Sequence, residues 1–164
     1  MTSIYIIDTN VFLNLLDVPN CNQDVESVRK AFDVYTESEC TFYLPMATII
    51  ETGNHIAQNG DGRIRRKTAQ RFVEQIMASF AGEAPWRPTA FWLKEDLLLW
   101  IKDFPDYAGR NKSPDKQGEG SSFGDLSIIE EFKKSCKQFP MSEISIWSLD
   151  SDLQSYHQIP NFKK

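Results

Sequence analysis

Ile4-Tyr5-Ile6-Ile7-Asp8-Thr9-Asn10 is the stretch on which the fold turns. Residues 3–8 are rich in Ile and Tyr and read as a strand buried on both faces. The apolar run stops at a carboxylate, and Thr9 or Asn10 can cap a short helix over Val11 to Leu16. A carboxylate at the tip of an apolar strand sits where a parallel sheet meets solvent. Ligands of open α/β sheets gather at that edge.

Working outward, three more acid-bearing clusters follow: Ile49-Ile50-Glu51-Thr52, Phe123-Gly124-Asp125-Leu126, and Ile144-Ser145-Ile146-Trp147-Ser148-Leu149-Asp150. Between them the pattern alternates. Val25, Val28, Phe32 and Tyr35 have helical spacing over 24–38, and 40–44 reads as a second strand closed by Pro45. A helix begins shortly afterwards and carries Glu51, with His55 one turn further on the same side. Asn59-Gly60-Asp61-Gly62 is a break. A helix over about 63–80 is expected to face the core with Ile64, Phe72, Ile76 and Phe80. Pro85 and Pro88 mark a turn, and Phe91 to Phe104 is amphipathic. Residues 109–122 are polar and Gly/Ser-rich and read as a mobile loop. A helix over about 123–137 turns Leu126, Ile129 and Phe132 inward, and Ile144 to Leu149 is a strand. The tail after Tyr156 is either weakly ordered or one more edge strand. Strands alternating with helices predict an α/β fold with a central parallel sheet flanked by helices, as one domain over 1–164.

The chain has 164 residues, 41% of them hydrophobic, and a formal net charge of -5. That acidity argues against a nonspecific nucleic-acid coat protein, although local patches decide contact. Cys21, Cys40 and Cys136 are odd in number and form no CxxC, which argues against a zinc ribbon or disulfide framework and fits a reducing cytoplasmic compartment. The N-terminal apolar run lacks a basic lead and ends at Asp8, unlike a signal peptide. No apolar stretch approaches the roughly 20 residues of a membrane span.

Asp8 and Asp150 end predicted strands, Glu51 lies in the first turns of one helix, and Asp125 opens another. Any one of these acids taken alone is a turn residue or a cap. Together at one sheet edge they would repel one another unless a cation sat between them. Oxygen ligands suit Mg²⁺ or Mn²⁺, whereas zinc wants the His and Cys that are scarce here. Such a site can polarise a phosphodiester and activate water. Asn10 and Ser148 flank the acids and are expected to hold metal-bound waters.

The four segments, in this order, resemble the PIN-domain nucleases over nearly the whole chain. The matching residues are Ile7-Asp8-Thr9-Asn10, Glu51, Gly124-Asp125 and Ser148-Leu149-Asp150-Ser151-Asp152. The resemblance implies a Rossmann-like sheet and metal-dependent cleavage of RNA to 5′-phosphate and 3′-hydroxyl ends. It also implies that Asp8, Glu51, Asp125 and Asp150 are the metal-site acids, with Asp8 central and Asp152 a polar accessory. Many relatives are VapC-type toxins held inactive by an antitoxin, and some dimerise. The long loop before Asp125 departs from the compact toxin pattern.

Other residues carry two readings each. Arg63, Arg65, Arg66, Lys67 and Arg71 either grip RNA phosphates or form a solvated helix face. Lys112 and Lys116 either close over a bound strand or belong to a plain flexible loop. Trp86, Phe91, Trp92, Trp100 and Phe104 either stack on bases or serve core packing or a dimer surface. Two rival functions stand beside the endoribonuclease. One is a noncatalytic RNA- or protein-binding module. The other is a haloacid-dehalogenase-like phosphatase, whose chemistry expects an Asp where Asn10 stands.

Overall fold

The computed structural model describes residues 2–160. Five strands form one sheet: β1 (Ser3–Ile7), β2 (Thr41–Leu44), β3 (Trp86–Pro88), β4 (Glu143–Trp147) and β5 (His157–Gln158). Their order is β3-β2-β1-β4-β5, with β1 to β4 mutually parallel and β5 antiparallel at the edge. The helices are α1 (Thr9–Leu15), α2 (Val25–Glu37), α3 (Met46–Ala57), α4 (Gly62–Ala81), α5 (Lys94–Gly109), α6 (Phe123–Gln138) and α7 (Ser151–Gln154). This is the α/β architecture with a mostly parallel central sheet that the alternating pattern predicts.

Burial alternates along the central strands and divides the core in two. Ile4 and Ile6 of β1 join Ile144, Ile146, Ile128, Ile129 and Leu153 beneath α6 and α7. Ile7 points the other way and joins Phe12, Val28, Phe42, Leu44 and Trp147 beneath α1 and α2. A strand buried on both faces has no polar side, which is why β1 reads as an unbroken apolar run. Each fully buried Ile, Leu or Phe contributes about 1.5–3 kcal/mol of transfer free energy.

The chain first runs outward from β1 through β2 to β3, then returns through α5 and α6 to place β4 on the other side of β1. The carboxyl ends of β1 and β4 therefore flank the point where the strand order reverses. In open α/β sheets that reversal opens a crevice for ligands. The last rung there is the Asp8 amide, which donates to the Trp147 carbonyl at 3.0 Å. Thr48 of α3 donates its hydroxyl to the Ile7 carbonyl at 2.8 Å, tying α3 to the same strand end.

Four expectations need correction. Pro85 to Pro88 is more than a turn, because Trp86–Pro88 pairs with β2. Pro88 lacks an N–H and is tolerated because β3 is an edge strand. The amphipathic helix starts at Lys94 and runs through Pro105 to Gly109. Pro105 removes the bond to the Ile101 carbonyl, and both residues are exposed, so water can satisfy it. Ile64 and Phe80 are exposed rather than core, whereas Phe72 and Ile76 pack on the core as expected. α4 packs mainly on α3 and β3, and Ile64 and Phe80, near its two ends, lie on its solvent side. The strand expected over Ile144 to Leu149 is β4 and ends at Trp147, so Ser148 to Asp150 is a loop and Asp150 precedes α7. The tail supplies the short edge strand β5, and residues 161–164 lie outside the described residues.

Candidate active site

Asp8 occupies the residue after β1 and caps α1: its Oδ1 accepts from the Thr9 amide at 2.6 Å. Its Oδ2 accepts from the Ser148 hydroxyl at 2.6 Å, which joins the ends of β1 and β4. Ser148 Oγ in turn accepts from the Asp150 amide at 2.9 Å and from Asn10 Nδ2 at 3.4 Å. Asn10 Oδ1 accepts from the Leu149 amide at 3.1 Å. Ser148 thus braces Asp8 directly, and Asn10 braces Ser148 and the Leu149 backbone. Glu51 reaches the group from α3, with its Oε2 accepting from the Thr9 hydroxyl at 2.7 Å.

Asp125 sits in the first turn of α6 in a reciprocal cap. Its amide donates to Ser122 Oγ at 3.0 Å, and its Oδ2 accepts from the Ser122 amide at 2.9 Å. Gly124 lies against the end of the Glu51 side chain, which would have to shift to admit a Cβ there.

The loop between α5 and α6 delivers two ammonium groups into this cluster. Lys112 Nζ lies 2.9 Å from Asp125, 3.6 Å from Asp150 and 4.0 Å from Asp152. Lys116 Nζ donates to Asp150 Oδ1 at 2.6 Å. The loop is therefore attached to the acids rather than free, and neither reading of these lysines from the sequence foresaw those partners. No local pattern in a polar loop could reveal them, because the partners lie up to 40 positions away (Lys112 to Asp152).

The electrostatics follow from this crowding. Asp8 is 4% exposed, and burial raises its pKa to about 7 against the opposing hydrogen bonds from Ser148 and Thr9. The charges of Asp125 and Asp150 raise it further. Burial also pushes Asp150 up, but Lys116 and Lys112 outweigh it and hold the carboxyl below its ordinary value. Asp152 is raised by burial and by its acidic neighbours, with Lys112 opposing. Burial works against the charge of Lys112, yet the hydrogen bond and charge of Asp125 and the nearby Asp152 and Asp150 raise its pKa.

The structure thus brings Asp8, Glu51, Asp125, Asp150 and Asp152 to one sheet edge. Among the described residues, no three Asp, Glu, His or Cys side chains close on a single metal position as they stand. That corrects the expectation of a ready chelating pocket: the point where three carboxylates meet already carries the Lys112 ammonium. The donor set itself suits a hard divalent cation, being oxygen throughout. Asp152 Oδ1 is buried without a protein partner, a further sign of unspent ligand capacity.

The basic run does not join the acids. Arg65 donates to the Asn59 carbonyl and Arg71 to the Asp17 carbonyl, so both brace backbone. Arg63, Arg66 and Lys67 are exposed on α4. Of the aromatic residues, Trp86 and Trp100 are buried, Phe91 is exposed, and Trp92 with Phe123 walls a cleft of about 280 Å³ beside Glu51 and Asn54. His55 is exposed, and no described hydrogen bond ties it to the acids. Among the described residues no helix is long and apolar enough to cross a membrane.

Comparison with solved structures finds the same fold in a chain of FitAB bound to an IR36 DNA fragment. The TM-score is 0.54 at 20% identity, over 93% of this chain and 89% of that one. At this identity the likeness speaks for the fold. No protein-family model and no curated protein matches the chain.

Proposed function

We propose that this chain is a PIN-like, divalent-metal-dependent endoribonuclease that acts in the cytoplasm as the toxin of a toxin–antitoxin or defence system. The observation that carries the reading is the convergence of Asp8, Glu51, Asp125 and Asp150 at the strand-order reversal, from four separate elements. A merely structural sheet edge has no use for so many carboxylates in mutual repulsion. Asp8, Glu51, Asp125 and Asp150 are the residues that would hold Mg²⁺ or Mn²⁺. When bound, the ion supplies Lewis-acid polarisation of the phosphodiester and lowers the pKa of a coordinated water.

The chain's own residues do the remaining work. Ser148 and the Thr9 amide fix the Asp8 carboxylate, and Thr9 fixes Glu51, so the acids meet the substrate in one orientation. The cleft beside Glu51, with Trp92 and Phe123 on its walls, offers a base next to the acids an aromatic surface. Arg63, Arg66 and Lys67 add phosphate contacts along the flanking strand. The FitAB structure, one chain of which has this fold, was solved with a bound DNA fragment, and that supports a nucleic-acid context. The three cysteines are free, in keeping with a reducing compartment. The proposed partners are an RNA substrate, an antitoxin and a second copy of the chain.

The test is incubation with structured and unstructured RNA, with and without Mn²⁺, followed by end-mapping. Metal-dependent fragments with 5′-phosphates are expected. Asp8→Asn keeps an oxygen to accept from the Thr9 amide and should lose cleavage while retaining the parent circular dichroism. Equal cutting by the folded variant would refute the assignment.

A further inference from the structure

We infer that Lys112 is a resident cation of the acidic site, standing in for a second metal ion, so that the chain binds one divalent ion where the full set of acids would otherwise hold two. The inference rests on the metal-site reading above and concerns how that site is filled.

The acids divide by their partners. Asp125, Asp150 and Asp152 surround the Lys112 ammonium at 2.9, 3.6 and 4.0 Å, and Lys116 adds a second contact to Asp150. Asp8 and Glu51 have no cationic side chain within salt-bridge distance among the described residues; hydroxyls and an amide meet them instead. One side of the cluster is neutralised from within the chain. The other is left for an ion from solution.

The placement of Lys112 is built rather than incidental. Its side chain is only 11% exposed. Its amide donates to the Glu119 carbonyl at 2.6 Å, closing the loop on itself. The returning arm is fixed where the Ser121 amide donates to the Tyr107 carbonyl at 3.2 Å. There the backbone passes Ala108 so closely that a Cβ on Gly120 would collide with it. These contacts aim one particular side chain at three carboxylates.

The chemistry suits the role. A lysine ammonium is a compact point charge with three donors and is a common partner of phosphate. Held among Asp125, Asp150 and Asp152, it offers a positive charge to the scissile phosphate without having to be recruited from solution. In two-metal nucleases a second divalent ion supplies that charge.

The experiment counts ions. The full chain is dialysed to equilibrium against Mn²⁺, and bound metal is measured for the parent, Lys112→Gln, Lys112→Arg and Asp8→Asn. One ion per chain is expected for the parent, two for Lys112→Gln, and one for Lys112→Arg, which keeps the charge. Asp8→Asn should lose the parent's ion. Two ions on the parent, or still one on Lys112→Gln while Asp8→Asn binds none, would overturn the lysine's role and leave the metal site standing. Absence of binding by both parent and Lys112→Gln would overturn the site reading and this inference together.

Discussion

On the sheet side of the acidic cluster, Asp8 is fixed by short bonds from Thr9 and Ser148, and Ser148 is itself held by Asn10 and the Asp150 amide. On its loop side, Lys112 and Lys116 hang from a polar loop and are held to the acids mainly by charge. The first half is anchored in a buried strand and helix. The second is anchored in opposite signs at 2.6 to 4.0 Å, with Lys116 40% exposed. Rigid placement comes from burial and hydrogen bonds. Occupancy of the centre comes from electrostatics, which salt and competing ions can alter.

Three substitutions probe that contrast. The largest effect is expected on the sheet side. Phe12→Ala removes a fully buried ring that meets Trp86 edge to face at 5.3 Å. It should cost about 3–5 kcal/mol in urea unfolding. A loss below about 1 kcal/mol would mean that α1 does not rest on this contact.

A second effect is read in pH. The folded pKa of Asp8 is raised from 3.8 to about 7, so the folded state holds this proton more tightly than the unfolded one. The associated stability is complete at low pH and is lost as pH rises through the folded value. In EDTA, the parent should lose roughly 2 kcal/mol more than Asp8→Asn between about pH 5 and about pH 7. Identical slopes for the two proteins would remove Asp8 as the source.

The smallest effect is expected on the loop side. Lys116→Met breaks a partly exposed pair and should change global stability by at most about 1 kcal/mol. A loss comparable with that of Phe12→Ala would erase the distinction between the two halves.

Legibility in the sequence follows the same division. β1, β2, α6 and the entry to Asp8 stand out because burial on both faces, or helical spacing, leaves a dense local signature. The gathering of four acids at one edge could be argued because Asp8 and Asp150 follow predicted strands, Asp125 opens a helix and Glu51 lies in the first turns of another. β3 is three residues long and ends in proline, so pairing with β2, not composition, makes it a strand. Ile64 and Phe80 look like core by periodicity alone, yet both stand exposed near the ends of α4, where helical spacing does not tell whether another element lies alongside. The lysine contacts were hidden for a different reason: ion pairs spanning 13 to 40 positions leave no trace in the loop's Gly/Ser-rich composition (Lys112 to Asp125, Lys112 to Asp152).

The two margins of the sheet carry a consequence for assembly. One margin ends at a proline without an amide hydrogen, and the other is a two-residue ribbon running against its single neighbour. Neither described margin offers the long row of free backbone groups that lets sheets of separate molecules join. Edge-to-edge growth of one chain on another therefore has little backbone to build on at these margins.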